Sequence, residues 1–288
     1  MRKRICALVL ALLLAALPAL ATGQSAPSDP IVQALFINVG KADSALLLLG
    51  EKRYLVDAGS KESAAAMLDA LAHFGVDRLE GVFITHTDKD HVGGLGALLK
   101  SGIQVEKLYA PAYFIQKNIQ KHPVYQWVTE TKVPFAWLNA GDVLPVADGI
   151  EFRVLGPLQR DTEDENNNSL VLHLVTAQGD MLLAADMEEP AETMLLQAGA
   201  VPKAAVLKVG HHGDDDASSS GLIYTVRPQI AVVSTDRDVA AGTPKPSVMR
   251  RLWDVGAEVL LTQKATCGVL VTLQGGQATG QLLDYPTP

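Results

Sequence analysis

The chain has 288 residues, 48% of them hydrophobic, with 24 Lys and Arg against 32 Asp and Glu and a net charge of −8 when histidine is counted neutral. That length and apolar content suit a single α/β domain with a full core, and the acidic balance argues against sequence-independent nucleic-acid binding through a basic surface. With only two cysteines, Cys6 and Cys267, the chain has no disulfide framework.

The elements begin with Met1-Arg2-Lys3-Arg4, an apolar run from Ile5 to Leu17, and Ala19-Leu20-Ala21, the pattern of a secretory signal peptide over residues 1–21. The run is shorter than the ~20 residues that span a bilayer, so cleavage near Thr22 and an exported chain, periplasmic or secreted, are expected. Cleavage removes three positive charges and no acid, which takes −8 to −11, and leaves Cys267 among apolar neighbours as a buried strand residue. Residues 22–30 read as a flexible leader and 31–288 as one domain. No later run approaches membrane-spanning length, so no stable span is expected after cleavage.

Short apolar segments at 33–39, 45–49 and 54–56 predict strands, and Met67, Leu68, Leu71 and Phe74 recur at helical spacing over 62–74, with Gly75 as the left-handed stop. A buried strand over 79–85 leads to a helix over 92–100. Residues 100–132 carry Lys100, Lys107, Lys117, Lys121 and Lys132 between Tyr109, Tyr113, Phe114, Tyr125 and Trp127. They read first as an amphipathic helical face, and second as a wall for a single nucleic-acid strand. Further strands are expected at 151–155, 169–176, 181–185, 204–209, 230–234, 258–261 and 267–273, with helices over 190–199 and 246–255. Two similar groups of strands punctuated by helices imply two sheets packed face to face with helices outside.

The chemistry concentrates in Thr85-His86-Thr87-Asp88-Lys89-Asp90-His91, followed by Val92-Gly93-Gly94, which sets four candidate metal ligands within six positions at a strand end. His86, Asp88 and Asp90 alternate along an extended loop and His91 opens a helix, so their side chains can converge on one or two cations. Imidazole mixed with carboxylate accepts both borderline and hard divalent ions. His73, His122 and His173 fall at a helix end, in a loop and on a strand, and carry no site pattern. Asp214-Asp215-Asp216 reads as a solvated acidic loop.

Four segments follow one another in the order of the metallo-β-lactamase superfamily motifs: Leu55-Val56-Asp57-Ala58-Gly59, the His86 to His91 cluster, Ala184-Ala185-Asp186-Met187-Glu188, and Gly210-His211-His212-Gly213. More narrowly, the chain resembles the metallo-hydrolase domain of the ComEC competence family of DNA-uptake proteins. That likeness rests on Phe36-Ile37-Asn38-Val39-Gly40-Lys41-Ala42-Asp43-Ser44, Asn166-Asn167-Asn168-Ser169-Leu170-Val171-Leu172, Leu207-Lys208-Val209 before the histidine pair, and Ser218-Ser219-Ser220. The resemblance implies an α/β fold, a four-layer αββα sandwich. It also implies one ion on Asp90, His91 and His211, with Asp186 bridging to a second on His86 and Asp88. Asp57 then orients the cluster, His212 packs or touches substrate, and Asn168 and Ser169 stand where the superfamily usually has a histidine.

The implied cofactor is one or two divalent ions, zinc or manganese, with magnesium competing at the carboxylate-rich position. The implied reaction is metal-assisted hydrolysis, with Asp90 and Asp186 as catalytic carboxylates and a phosphodiester, nucleic acid or small, as the preferred substrate. Two alternatives stand beside it: hydrolysis of esters, lactones or β-lactams, and a non-catalytic metal-binding envelope protein, the latter favoured by Asn38 and Thr243, where the ComEC group has aspartate and histidine. The sequence names no protein partner.

Overall fold

Along Val32–Ile37, Val32, Ala34 and Phe36 enter one buried cluster and Leu35 and Ile37 another. The strand therefore buries both faces, and its sequence is a continuous apolar run. Ala45–Leu49 divides in the same way, with Leu47 and Leu49 on one side and Leu46 and Leu48 on the other. In the second half of the chain Ile230 and Val232 join the cluster of Phe36, whereas Ala231 and Val233 join a third one. The shared cluster is the layer between two sheets. The computed structural model describes residues 31–115, 120, 122–236 and 242–286, so the signal peptide expected over 1–21 and the leader over 22–30 lie outside the described residues.

The first sheet has eight strands in the order Gln277–Leu283, Gly268–Gln274, Val32–Ile37, Ala45–Leu49, Lys52–Val56, Gly81–Phe83, Leu108–Pro111, Phe135–Leu138. The second has seven, in the order Glu258–Leu261, Ile230–Val233, Val206–Lys208, Met181–Leu183, Val171–Thr176, Ile150–Gly156, Val143–Ala147. Helices Ala64–His73, Leu95–Lys100 and Pro123–Thr131 cover the outer face of the first sheet through Met67, Leu71, Leu98 and Val124. Helices Glu189–Gln197, Ser220–Val226 and Pro246–Asp254 cover the second through Leu195, Ile223 and Leu252. The result is the four-layer αββα sandwich that the resemblance implied.

Each sheet is antiparallel in one part and parallel in another. Lys52–Val56 pairs parallel with Gly81–Phe83, and Met181–Leu183, Val206–Lys208 and Ile230–Val233 run parallel in the other sheet. The carboxyl ends of these parallel strands carry Asp57, Thr85-His86, Asp186, His211-His212 and Ser234, so the fold delivers every motif to one end of the sandwich.

The expected helical face over 100–132 is corrected by the structure. Leu108–Pro111 is a strand of the first sheet, and Pro123–Thr131 is the α-helix that lies within this span. Tyr109 stacks on Phe83 at 4.7 Å, Phe114 stacks on Trp137, and Lys100 lies over Trp127 at 4.7 Å. These aromatics are taken up by packing rather than arrayed as a wall; Lys117 and Lys121 lie outside the described residues.

Candidate metal centre

The strand Lys52–Val56 stops at Asp57, whose left-handed backbone (φ 60) turns its buried carboxylate inward. Oδ1 accepts the backbone N–H of Thr85 at 2.8 Å, and Oδ2 lies 2.8 Å from both Thr85 Oγ1 and His91 Nδ1. His91 belongs to a single helical turn, Lys89–Val92, followed by two glycines. A Cβ on Gly94 would stand 2.1 Å from the Ala58 carbonyl oxygen, so this turn packs backbone to backbone against the Asp57 loop. With Nδ1 fixed by Asp57, His91 presents Nε2 to the site, the arrangement in which an outer carboxylate sets the orientation and basicity of a ligand imidazole.

Asp90, His91, Asp186 and His212 each place one ligand atom within 4.8 Å of the others. Nε2 of His91 and of His212 approach Asp186 Oδ2 at 3.1 Å and 3.3 Å, and His212 Nε2 is 3.3 Å from Asp90 Oδ2. These contacts lie off the hydrogen-bond direction: His91 Nε2, His212 Nε2 and Asp186 Oδ1 are buried without a hydrogen-bond partner, and so is the neighbouring His86 Nε2. Buried polar atoms left in this state are costly. Several of them converging on one point, two carboxylates among imidazoles, fit a divalent cation. The second and third motifs enter from opposite sheets, so the cluster spans the sandwich.

The histidine pair departs from expectation. His211, expected among the ligands, turns away: its Nδ1 lies 2.9 Å from Asp216 and 3.6 Å from Glu188. His212, expected to pack or touch substrate, brings its Nε2 into the cluster of Asp90, His91 and Asp186 instead, and its Nδ1 donates to the Ser234 carbonyl at 3.1 Å. Both residues are left-handed (φ 44 and φ 54), and the resulting twist separates two adjacent side chains onto different carboxylates.

Asn168 is likewise not directed into the site. Its amide accepts from the Asp161 N–H at 2.9 Å and donates to the Asp161 carbonyl at 3.0 Å, stapling the loop over 161–168. Ser169 does reach the site: its Oγ accepts the Asp186 N–H at 3.3 Å and lies 3.5 Å from His86 Nδ1. Asp88 stands at the exposed rim, its Oδ2 4.0 Å from His86 Nε2. Sequence reasoning passed over Asp43 and Lys208, which form a buried ion pair at 2.7 Å beneath the cluster. Both lie inside quoted motifs, and the only available signal was a lysine on an otherwise apolar strand.

Burial works against charge throughout the site, and partners decide the outcome. Burial alone would lower the His91 pKa, but Asp186 and Asp57 on its two nitrogens raise it well above the usual value. His212, against the same burial, is raised to about 9 by Asp186 and Asp90. Those imidazoles hold Asp186 well below the usual carboxylate range and Asp90 at about 2, in each case against burial. His86, buried and facing His91, is lowered to about 3 and stays neutral. Without an ion, His91 and His212 thus keep their protons against the ionised carboxylates, and a divalent cation binding there would displace those protons.

Residues 37–236 match the metallo-beta-lactamase superfamily. ComE operon protein 3 of Bacillus subtilis is 30% identical over 214 residues, 74% of this chain and 27% of that protein. Recombination protein 2 of Haemophilus influenzae is 30% identical over 78% of this chain, again 27% of its own length. The chain thus spans about a quarter of the length of these relatives. Exodeoxyribonuclease YycJ of Bacillus anthracis is 31% identical over 45% of this chain and 47% of its own. Among solved structures, the metallo-beta-lactamase fold protein YhfI from Bacillus subtilis superposes with a TM-score of 0.58 at 12% identity, covering 87% of this chain and 100% of that one, which shows the fold alone. With the family match over residues 37–236, the chain belongs to the metallo-beta-lactamase superfamily.

Proposed function

We propose that this chain, a metal-dependent hydrolase of the metallo-beta-lactamase superfamily, cleaves phosphodiesters, with nucleic acid as the leading substrate class, and works outside the cytoplasm. The observation that carries the reading is the convergence of Asp90, His91, Asp186 and His212 within 4.8 Å around buried atoms that have no hydrogen-bond partner. Superfamily members bind divalent metals, often one or two. Here His91, His212, Asp90 and Asp186 would hold the first ion, with His86 and Asp88 at the flank for a second; zinc and manganese suit the mixture best. When bound, such an ion supplies Lewis acidity that stabilises developing phosphoryl charge and makes water a nucleophile near neutral pH.

The chain's own residues do the rest. Asp57 and the Ser234 carbonyl fix the Nδ1 atoms of His91 and His212, so the facing Nε2 atoms are set before substrate arrives. Asp186, buried between the two imidazoles, holds the central negative charge. Asp90, more open than Asp186 and 3.3 Å from His212 Nε2, supplies the second carboxylate at the mouth of the cluster, where substrate would approach. With Ser169 Oγ engaged by the Asp186 N–H and beside His86 Nδ1, no third-motif imidazole serves the second position, which is left with His86 and carboxylates, an oxygen-rich set that suits phosphoryl substrates. The competence and exodeoxyribonuclease names of the relatives support nucleic acid, and the amino-terminal pattern over 1–21 supports export.

The test is hydrolysis of bis-p-nitrophenyl phosphate and of a labelled oligonucleotide with manganese, zinc or magnesium. Asp186→Asn keeps the shape of the side chain and removes its charge, and should lower turnover by at least roughly a hundredfold to a thousandfold. Turnover of esters or lactones alone would discard the phosphodiester, and ion binding without turnover of any substrate would favour a binding protein.

A further inference from the structure

Lys208 sits on a central strand, paired with Leu183 on one side and Val232 on the other, and its side chain points between the sheets with only 4% exposure. An apolar residue there would complete the inter-sheet core. A buried ion pair commonly contributes less to stability than well-packed apolar side chains of the same volume, so core packing does not account for a lysine at this position. Its place does. Nζ meets Asp43 Oδ2 at 2.7 Å and donates to the Val209 carbonyl at 3.0 Å, directly before the histidine pair.

Asp43 is tied to both halves of the centre. Its N–H donates to the Asp90 carbonyl at 3.1 Å and its carbonyl accepts the Gly59 N–H at 2.8 Å, so its backbone links the metal loop to the Asp57 loop. Its second carboxylate oxygen, Oδ1, is buried without a hydrogen bond and lies 3.7 Å from His212 Nδ1. Ser234, whose carbonyl holds His212, also has a buried hydroxyl without a partner. Asp43, Lys208 and Ser234 line one small cavity of about 20 Å³ that also touches Asp57, the residue holding His91. That volume admits a single water molecule, and polar atoms in need of partners are what retain one.

We propose that Asp43 and Lys208 act as one positioning unit behind both imidazoles, completed by a water molecule held between Asp43 Oδ1 and Ser234 Oγ. The unit holds the Asp43 carboxylate against Lys208 and behind the imidazoles, and braces the two residues, Asp57 and Ser234, that aim His91 and His212. It rests on the reading of the cluster as an ion site and is independent of which bond is cleaved.

The experiment measures manganese and zinc affinity by competition with a chelating dye, alongside metal-free thermal melting, for the wild type, Asp43→Asn, Lys208→Met, the double variant and Ser234→Ala. Each charge variant should bind the ions at least tenfold more weakly, the double variant no worse than the weaker single, and Ser234→Ala a few-fold more weakly with unchanged metal-free melting. Non-additivity is the mark of a single unit, and a purely structural pair would shift melting without shifting affinity. If a single variant does not fold, the double variant, which buries no lone charge, and Ser234→Ala carry the comparison. Affinities within twofold of the wild type, or losses that multiply, would overturn the unit while leaving the ion site standing. A wild type that binds neither ion would overturn the ion site, and the unit with it.

Discussion

Two adjacent histidines end on different carboxylates, and this separates their predicted effects. His212→Ala removes a nitrogen that lies 3.3 Å from both Asp90 and Asp186. It should abolish tight ion binding, a loss beyond the roughly 10–100-fold that follows when only an outer partner is removed. His211→Ala touches a nitrogen paired with Asp216 and should leave ion content near that of the wild type. Elemental analysis of both purified variants decides it, and equal depletion would refute the placement. Asp90, His91 and Asp186 were legible as a group because their motifs follow in order at strand ends. The phase of the histidine pair was not, because no periodicity governs two consecutive left-handed residues. Ser169 was legible as a replacement for histidine, whereas the Asn168 staple depends on a loop whose path no local pattern specifies. Asp43 and Lys208 find each other only once the two sheets face one another.

At the scale of elements, the inner strands were readable as apolar runs, and the structure explains why they lack alternation: both faces are covered. What escaped were the edges. Gln277–Leu283 has no fully buried residue and carries no apolar run, and Val143–Ala147, which buries only Val146, is interrupted by Pro145, a residue that reads against a strand. The start of the helix Pro123–Thr131, inside a longer span read as helical, was hidden for another reason, because its cap is a histidine: His122 Nδ1 accepts the Val124 N–H at 3.2 Å. Phe114 and Trp137 pack edge-on against the ring, and burial pushes its pKa down to about 4. The folded-state value thus lies below the unfolded value of about 6.5, so the neutral ring favours folding above that pH. The contribution should be lost as pH falls from about 6.5 towards 4, up to about 3 kcal/mol in all. Urea unfolding between pH 7.5 and 4.5 should show a steeper acid loss for the wild type than for His122→Asn, which keeps a capping acceptor; parallel curves would remove His122 from the acid response.

For the whole molecule, the candidate centre is a seam. Asp90 and His91 follow a strand of the first sheet, and Asp186 and His212 follow strands of the second, so an ion there ties the halves of the sandwich together. Ion present at a hundred times its dissociation constant stabilises the folded state by about 2.7 kcal/mol. For a domain of this size that corresponds to roughly 5–10 °C in melting temperature. Chelation should lower the melting temperature by that amount and readdition should restore it, whereas a melting curve indifferent to chelator would mean that the seam holds without an ion.

The first sheet is not built in the order in which the chain is made. Val32–Ile37, one of its central strands, pairs on one side with Ala45–Leu49, but on the other with Gly268–Gln274, matching Val32 to Leu273. Until those late residues leave the ribosome, a strand buried on both faces has an open edge, and the loops bearing His86 and His91 rest on an unfinished support. Pairings of such long sequence separation form slowly. The first sheet can therefore close only once residues 268–274 are available, so the support beneath the site is completed by the last part of the fold rather than by the strands that precede the site.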